Sequence, residues 1–217
     1  PCPPATQANP RDGGGVIDFA RVSHGAEARL RFALDPVDLV VGLAADRQRD
    51  DRQGYENFTG TGAAQVLGVV GALRRDEVNR GASDDAYVQL EWPFAPRWAM
   101  EGGVRSGRVT LTASDAYLAN GDDSGRRRFS YTNPVLGLRF DAAPGLKLHA
   151  SVARGFESPT LGELAYRIDG TGGFNTDLRP QRSEQLEVGA KWRADGVQLD
   201  AAAFEVRVAD EIGVAAN

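Results

Sequence analysis

Few residues in this chain have the types and spacing that a reactive site needs. Its 217 residues include one cysteine, Cys2, and two histidines, His24 and His149. These are too few for a closed zinc site built from soft ligands, and a lone thiol closes no internal disulfide. His149 and Ser151 offer a base and a hydroxyl two residues apart. Side chains two apart on one strand point in parallel and do not converge, so hydrolytic geometry is not expected from them. Asp169-Gly170-Thr171-Gly172-Gly173 is glycine-rich. It follows no strand and precedes no helix, as a phosphate loop would, and reads as a surface loop. The chain is therefore not expected to be an enzyme, and no catalytic residue, metal site or cofactor is assigned.

Recognition of an anion is the better candidate chemistry. Arg126, Arg127 and Arg128 form a basic run close to Asp122 and Asp123. Guanidinium groups donate several hydrogen bonds and stack on flat surfaces, which suits an anionic chelate. Tyr55, Phe58 and Tyr117, placed in outer loops, would stack on planar ligand groups. The competing reading of these six residues is a solvated loop with local ion pairs, or one that touches lipopolysaccharide. The net charge of −5 carries no basic excess, so nucleic acid is not an expected partner.

The elements that would position these residues follow a period of two. Leu186, Val188, Ala190 and Trp192 alternate with Gln185, Glu187, Gly189 and Lys191. The same alternation recurs over 26–34, 37–46, 86–92, 98–105, 136–140, 146–152 and 197–203, giving eight strands. One face is apolar. The other carries Glu27, Arg29, Arg31, Glu101, Arg105, Arg139, Lys147, Glu187, Lys191 and Arg193. Tight connections are expected at 35–36, 93–97, 141–145 and 194–196, where proline and glycine supply turn chemistry. Long polar stretches, 47–83, 113–129 and 157–182, separate the four hairpins. Short and long connections therefore alternate, which puts every short turn at one end. Outer-membrane barrels have this asymmetry, whereas compact soluble domains seldom carry several long loops. Phe32, Trp92, Phe94, Trp98, Phe140 and Trp192 lie near the short turns, as an interfacial aromatic girdle would. No apolar run is long enough for a membrane-crossing helix. Pro1 to Pro10 lacks the pattern of a signal peptide, so an exported form is expected to be processed or truncated there.

The stretch from Ser151 to Gly189 resembles the TonB-dependent outer-membrane receptors. In that family a strand ending R-G-F leads to P-T/S-x-x-E-L, then to N-P-x-L-x-P-E-R-S and a strand reading Y/W-E-x-G. Arg154, Gly155, Phe156, Pro159, Glu163, Leu164, Asn175, Leu178, Pro180, Arg182, Ser183, Glu187 and Gly189 match. Thr176, Gln181 and Leu186 depart from the usual proline, glutamate and aromatic. Arg154 to Thr160 is read as the end of a strand and a turn, with Pro159 biasing Ser158 toward extended backbone.

The resemblance implies an all-β, antiparallel, up-and-down transmembrane β-barrel segment of about eight strands, cut from a barrel of about 22. Residues 1–15 would be a disordered or truncated N-terminal segment and 16–217 the partial barrel. It also implies a Gram-negative outer-membrane location and uptake of a scarce nutrient, an iron–siderophore complex above all. The partners would be lipid, lipopolysaccharide, a plug domain and TonB, and the chain alone would not support energised uptake. A complete small eight-stranded barrel with a structural or adhesion role, or a soluble β-sandwich binding module, is the alternative.

Overall fold

The computed structural model describes residues 15–165 and 173–213. The strands are β1 (Gly15–Leu34), β2 (Val37–Glu56), β3 (Phe58–Thr59), β4 (Val66–Leu67), β5 (Leu73–Ala95), β6 (Trp98–Asp115), β7 (Gly125–Ala143), β8 (Leu146–Glu157), β9 (Gln181–Ala194) and β10 (Val197–Ala209). One helical turn, α1 (Leu161–Leu164), follows β8. The eight long strands make one sheet in the order β1-β2-β5-β6-β7-β8-β9-β10, and every neighbouring pair is antiparallel. β1 and β10 are its edges, so the sheet is an open arc. β3 and β4 form a separate small hairpin within a loop.

The four expected hairpins are present, and their tight turns share one end of the sheet. Asp195 and Gly196 both have positive φ, 47° and 79°, the geometry that a two-residue hairpin turn favours. Pro93 lies inside β5, where the β5–β6 register shifts between Trp92 and Ala95. Proline has no N–H for the ladder, and a bulge absorbs the defect.

The strands are much longer than the apolar alternation that announces them. Arg47–Glu56 and 73–83 are strand, not loop, and so are 125–129. The long connections shrink to 57–72, 116–124 and 158–180. A tilted strand needs only about 9–11 residues to cross a bilayer. Beyond that length both faces can be polar, which removes the alternation but leaves the backbone ladder intact. Charge pairs accompany it there: Arg47 donates to Asp84 across β2 and β5 at 2.6 Å, and Arg21 to Asp50 across β1 and β2 at 2.7 Å. Tyr55 therefore ends a strand, Phe58 sits in β3, and Arg126–Arg128 belong to β7; of the six candidates only Tyr117 lies outside regular structure.

Register puts the alternating apolar residues of the belt, from all eight strands, on one face. Leu39 pairs with Leu90, Val41 with Val88, Leu138 with Ala150, and Leu199 with Trp192. This face is bare: Leu186, Val188 and Trp192 are 48, 50 and 39% exposed. At its short-turn end the aromatics touch in series. Trp92 and Phe94 are 5.6 Å apart, Phe94 and Trp98 6.4 Å, and Trp98 and Phe140 4.5 Å. The opposite face carries charge. Arg31 meets Asp38 at 3.0 Å, and Arg139 lies 3.7 Å from Glu101 and 3.9 Å from Glu91.

Reversing this register would put every charge on the apolar face at once. We therefore expect Val188→Arg to impair insertion into a bilayer far more than Glu187→Arg. A cation at the midplane costs about 2–4 kcal/mol on the lipid face. Outer-membrane abundance and heat-modifiability of the two variants measure this; equal yields would mean that the faces are assigned wrongly.

Candidate functional site

At the loop end the face pattern inverts. Val109, Leu111 and Ala113 of β6 and Phe129 of β7 have the same parity as the charged Glu101 and Arg139, yet they are apolar. They need a cover, and the segment after β8 supplies it. Leu111, Phe129, Leu164 and Phe174 form the buried cluster, with Val109, Ala113, Phe156, Leu161 and Leu178 packed around it. Leu164 and Pro159 are the most completely buried large side chains among the described residues.

The residues of the R-G-F to E-x-G pattern build this cover. Thr160 accepts a hydrogen bond from the Glu163 amide at 3.2 Å, and Glu163 accepts one from the Thr160 amide at 2.7 Å. This capping box holds α1, which points Leu164 into the cluster. The Asn175 amide donates to the Leu164 carbonyl at 2.6 Å, and its side chain accepts from the Leu178 amide at 3.2 Å. Phe174 lies where a Cβ on Gly125 would stand, 2.2 Å from that position, so only glycine fits there. By strict alternation Phe156 would share the outer face with Val152. Its ring instead stacks on Tyr131 at 4.8 Å. Lower on the wall, His149 lies over Gly189 and meets Glu187 at 3.1 Å, which accounts for the E-x-G pair and leaves His149 structurally engaged.

Arg127 is the tie between wall and cover. It donates to the carbonyls of Thr176 and Leu178, the latter at 3.2 Å, and lies 5.2 Å from the Phe129 ring. Its neighbours Arg126 and Arg128 point to the other face, as alternation demands. The basic run is therefore split between the two sides of the wall. Asp122 and Asp123 stay in the loop, where Asp122 accepts from the Ser124 amide at 2.9 Å and the Asp123 amide donates to Asp115 at 3.1 Å. Tyr55 donates to Gln53 at 2.7 Å, and the Tyr117 amide to Asp115 at 2.9 Å.

Between the cover and the inner face of β1, β2 and β5 is a hollow of 1330 Å³. Phe19, Arg21, Asp50, Arg52, Arg75 and Glu77 line its wall, and Pro159, Leu161 and Phe174 its roof. Arg21 grips Asp50 through two bonds, 2.7 and 2.8 Å, and Gln48 adds a third at 3.1 Å. The Arg21 hydrogen bond holds the Asp50 carboxyl below the usual carboxylate range, against the opposing effect of its burial. None of the six residues proposed from sequence lines this hollow. Much of its charged lining comes from stretches expected as loop; both faces of β2 are polar there, with Asp46, Gln48, Asp50 and Arg52 on one and Arg47, Arg49, Asp51 and Gln53 on the other, so no period marks them.

Against known proteins, residues 4–217 match the family described as TonB dependent receptor-like, beta-barrel. The chain belongs to this family. It is similar to the vitamin B12 transporter BtuB of Vibrio vulnificus, 28% identical over 102 residues, which are 47% of this chain and 16% of that protein. Among solved structures, the copper transporter OprC superposes over 88% of this chain and 30% of its own, with a TM-score of 0.71 and 17% identity. The ferric yersiniabactin uptake receptor FyuA of Yersinia pestis covers 89% and 30%, with a TM-score of 0.62 and 19% identity. The TonB-dependent receptor arc seen here thus spans about a third or less of each of these chains. The matched relatives are transporters and receptors, not enzymes.

Leu164→Ala should loosen the cover by about 2–5 kcal/mol, the usual cost of emptying a packed leucine site. Hydrogen exchange of the Asn175 amide, bonded to the Leu164 carbonyl, reads the change. Unaltered exchange would mean that the cover is not held by this cluster.

Proposed function

We propose that this chain forms part of the wall of an outer-membrane receptor that takes up a scarce nutrient complex, working with a plug domain and with TonB. The observation that carries this reading is the sidedness of the sheet. A bare apolar belt with an aromatic rim covers one face, and ion pairs cover the other. Such a sheet crosses lipid only within a closed barrel, where no strand edge leaves backbone groups unpaired in hydrocarbon. Residues 16–217 are the barrel portion in this reading. The family is one of Gram-negative outer membranes, and we propose that location for the wall.

The cargo we propose is an iron–siderophore complex. Two features support it. Arg52, which forms no ion pair among the described residues, lines the inner hollow with Phe19, and a guanidinium near a ring suits an anionic chelate with flat groups. Similar folds include the ferric yersiniabactin receptor and the ferric citrate transporter FecA, which covers 88% of this chain with a TM-score of 0.66. Phe58, Tyr55 and Tyr117, at the loop end, are the aromatic residues proposed to meet cargo on its way in.

The test is a strain lacking the full-length protein that contains this chain, grown with limiting iron, vitamin B12 or copper. The expected outcome is loss of siderophore-bound iron accumulation alone, restored by the intact gene and only when TonB is present. Loss of vitamin B12 or copper accumulation with iron unaffected would overturn the cargo, and recovery of the protein in the soluble fraction would overturn the wall.

A further inference from the structure

The hollow carries opposite charges at its two ends. Along β2 its inward residues are Asp46, Gln48, Asp50 and Arg52. Arg21 takes Asp50. Asp46 and Arg52 form no ion pair among the described residues. They stand six residues apart, about 20 Å along a strand. A bare cation therefore faces one end and a bare anion the other. The acids toward Arg52 are engaged or distant. Glu77 meets Arg75 at 3.0 Å, and Asp123, whose amide donates to Asp115, stands beyond the next two ladders.

The Asp46 end has room for a bound group. Gly25 faces Asp46 across the β1–β2 ladder and Ser83 across β2–β5. Ser23 and Gly81 flank Gln48 in the same way. A Cβ at Gly25 would collide with the Asp46 carboxylate, which therefore lies over bare backbone. The acids one row below are occupied. Asp85 pairs with Arg105 at 2.7 Å, and Glu27 accepts from the Tyr87 hydroxyl. Gln48 turns its amide nitrogen to Asp50 at 3.1 Å, which leaves its oxygen to the hollow. The Asp46 carboxylate, that oxygen and the Ser23 and Ser83 hydroxyls have no side-chain partner among the described residues. The niche is thus lined by oxygen acceptors around one uncompensated negative charge.

We propose that the cargo carries an ammonium group, held by Asp46, Gln48, Ser23 and Ser83, while Arg52 holds a carboxylate at the cargo's other end. An ammonium has three N–H donors and no acceptor, which matches a niche of oxygens. Its charge also compensates the carboxylate that this part of the wall leaves bare. A chelate anionic at both ends would set like charge against Asp46. The cargo is therefore a zwitterionic iron chelate with its charged ends about 20 Å apart, the span set by six strand residues. This rests on the uptake reading above and narrows its cargo.

The experiment is accumulation of radioactive iron by cells that lack other chelate receptors and express the full-length protein. The probes are linear ferric trihydroxamates that differ only at their ends: ammonium with carboxylate, acetylated amine with carboxylate, ammonium with amide, and both ends blocked. The first is expected to enter. Acetylating its amine, or converting its carboxylate to the amide, should lower the rate at least tenfold. Asp46→Asn should lower uptake of the first probe at least tenfold and keep that of the acetylated probe within twofold of its wild-type rate. Asp51→Asn, on the other face of β2, should change neither by more than twofold. Rates are taken per receptor in the outer membrane, so a loss of assembly is not read as a loss of recognition. The proposal is overturned if the acetylated probe enters as fast as the free amine, or if Asp46→Asn slows both alike. It is also overturned if no probe enters cells in which the protein restores growth on another iron chelate. Growth restored on no iron chelate at all would overturn the uptake reading beneath it as well.

Discussion

A β-strand cannot choose its faces residue by residue. Successive side chains alternate, and antiparallel pairing carries that alternation unchanged into the next strand. In this arc the pairing of Leu39 with Leu90, Val88 with Val104 and Leu138 with Ala150 keeps one parity apolar across neighbouring ladders. Everything else in the wall depends on that constraint. Once one ladder commits Leu186, Val188 and Trp192 to the outside, Glu187 and Lys191 are committed to the inside, and no local adjustment can exchange them.

The same constraint explains the loop end. The ladders outrun the apolar belt, so parity persists where lipid no longer dictates chemistry. There the two faces trade character. Outward positions become Ser106, Arg108, Thr110 and Thr112, while inward ones become Val109, Leu111 and Phe129. An apolar inner patch facing water would be costly, and the segment carrying Pro159, Leu164 and Phe174 folds over it. The hollow, its arginines and its roof are consequences of that fold-over. Arg127, on the inward parity, ties the roof to the wall; Arg126 and Arg128, on the outward parity, cannot.

Legibility in the sequence followed the same physics. Where lipid imposes alternation, as over 86–92 or 146–152, strand, face and partner could all be read from residue types. The four turns could be read from proline and glycine. The upper strands could not: Arg47–Glu56 and 73–83 are held by backbone ladders and cross-strand ion pairs, which leave no apolar period, so they resembled loop. The R-G-F to E-x-G stretch was legible as a family pattern and as a turn, but not as a cover, because the burial of Leu164 depends on Leu111 and Phe129 far away in the chain. The hollow was missed for the same reason. Its residues come from three strands, and the upper halves of two of them, Arg47–Glu56 and 73–83, resemble connections in the sequence.

On β6 the outer face passes from lipid to water between Val104 and Ser106. Single spin labels along the outward parity of β6, at Met100, Gly102, Val104, Ser106, Arg108 and Thr110, read it directly in the membrane-embedded protein with Cys2 replaced by serine. Collision with dissolved oxygen, which concentrates in hydrocarbon, should dominate through Val104. Collision with a water-soluble relaxing agent should take over from Ser106 upward. Equal accessibility to both reagents along the whole series, or oxygen dominance at Arg108 and Thr110, would contradict the account.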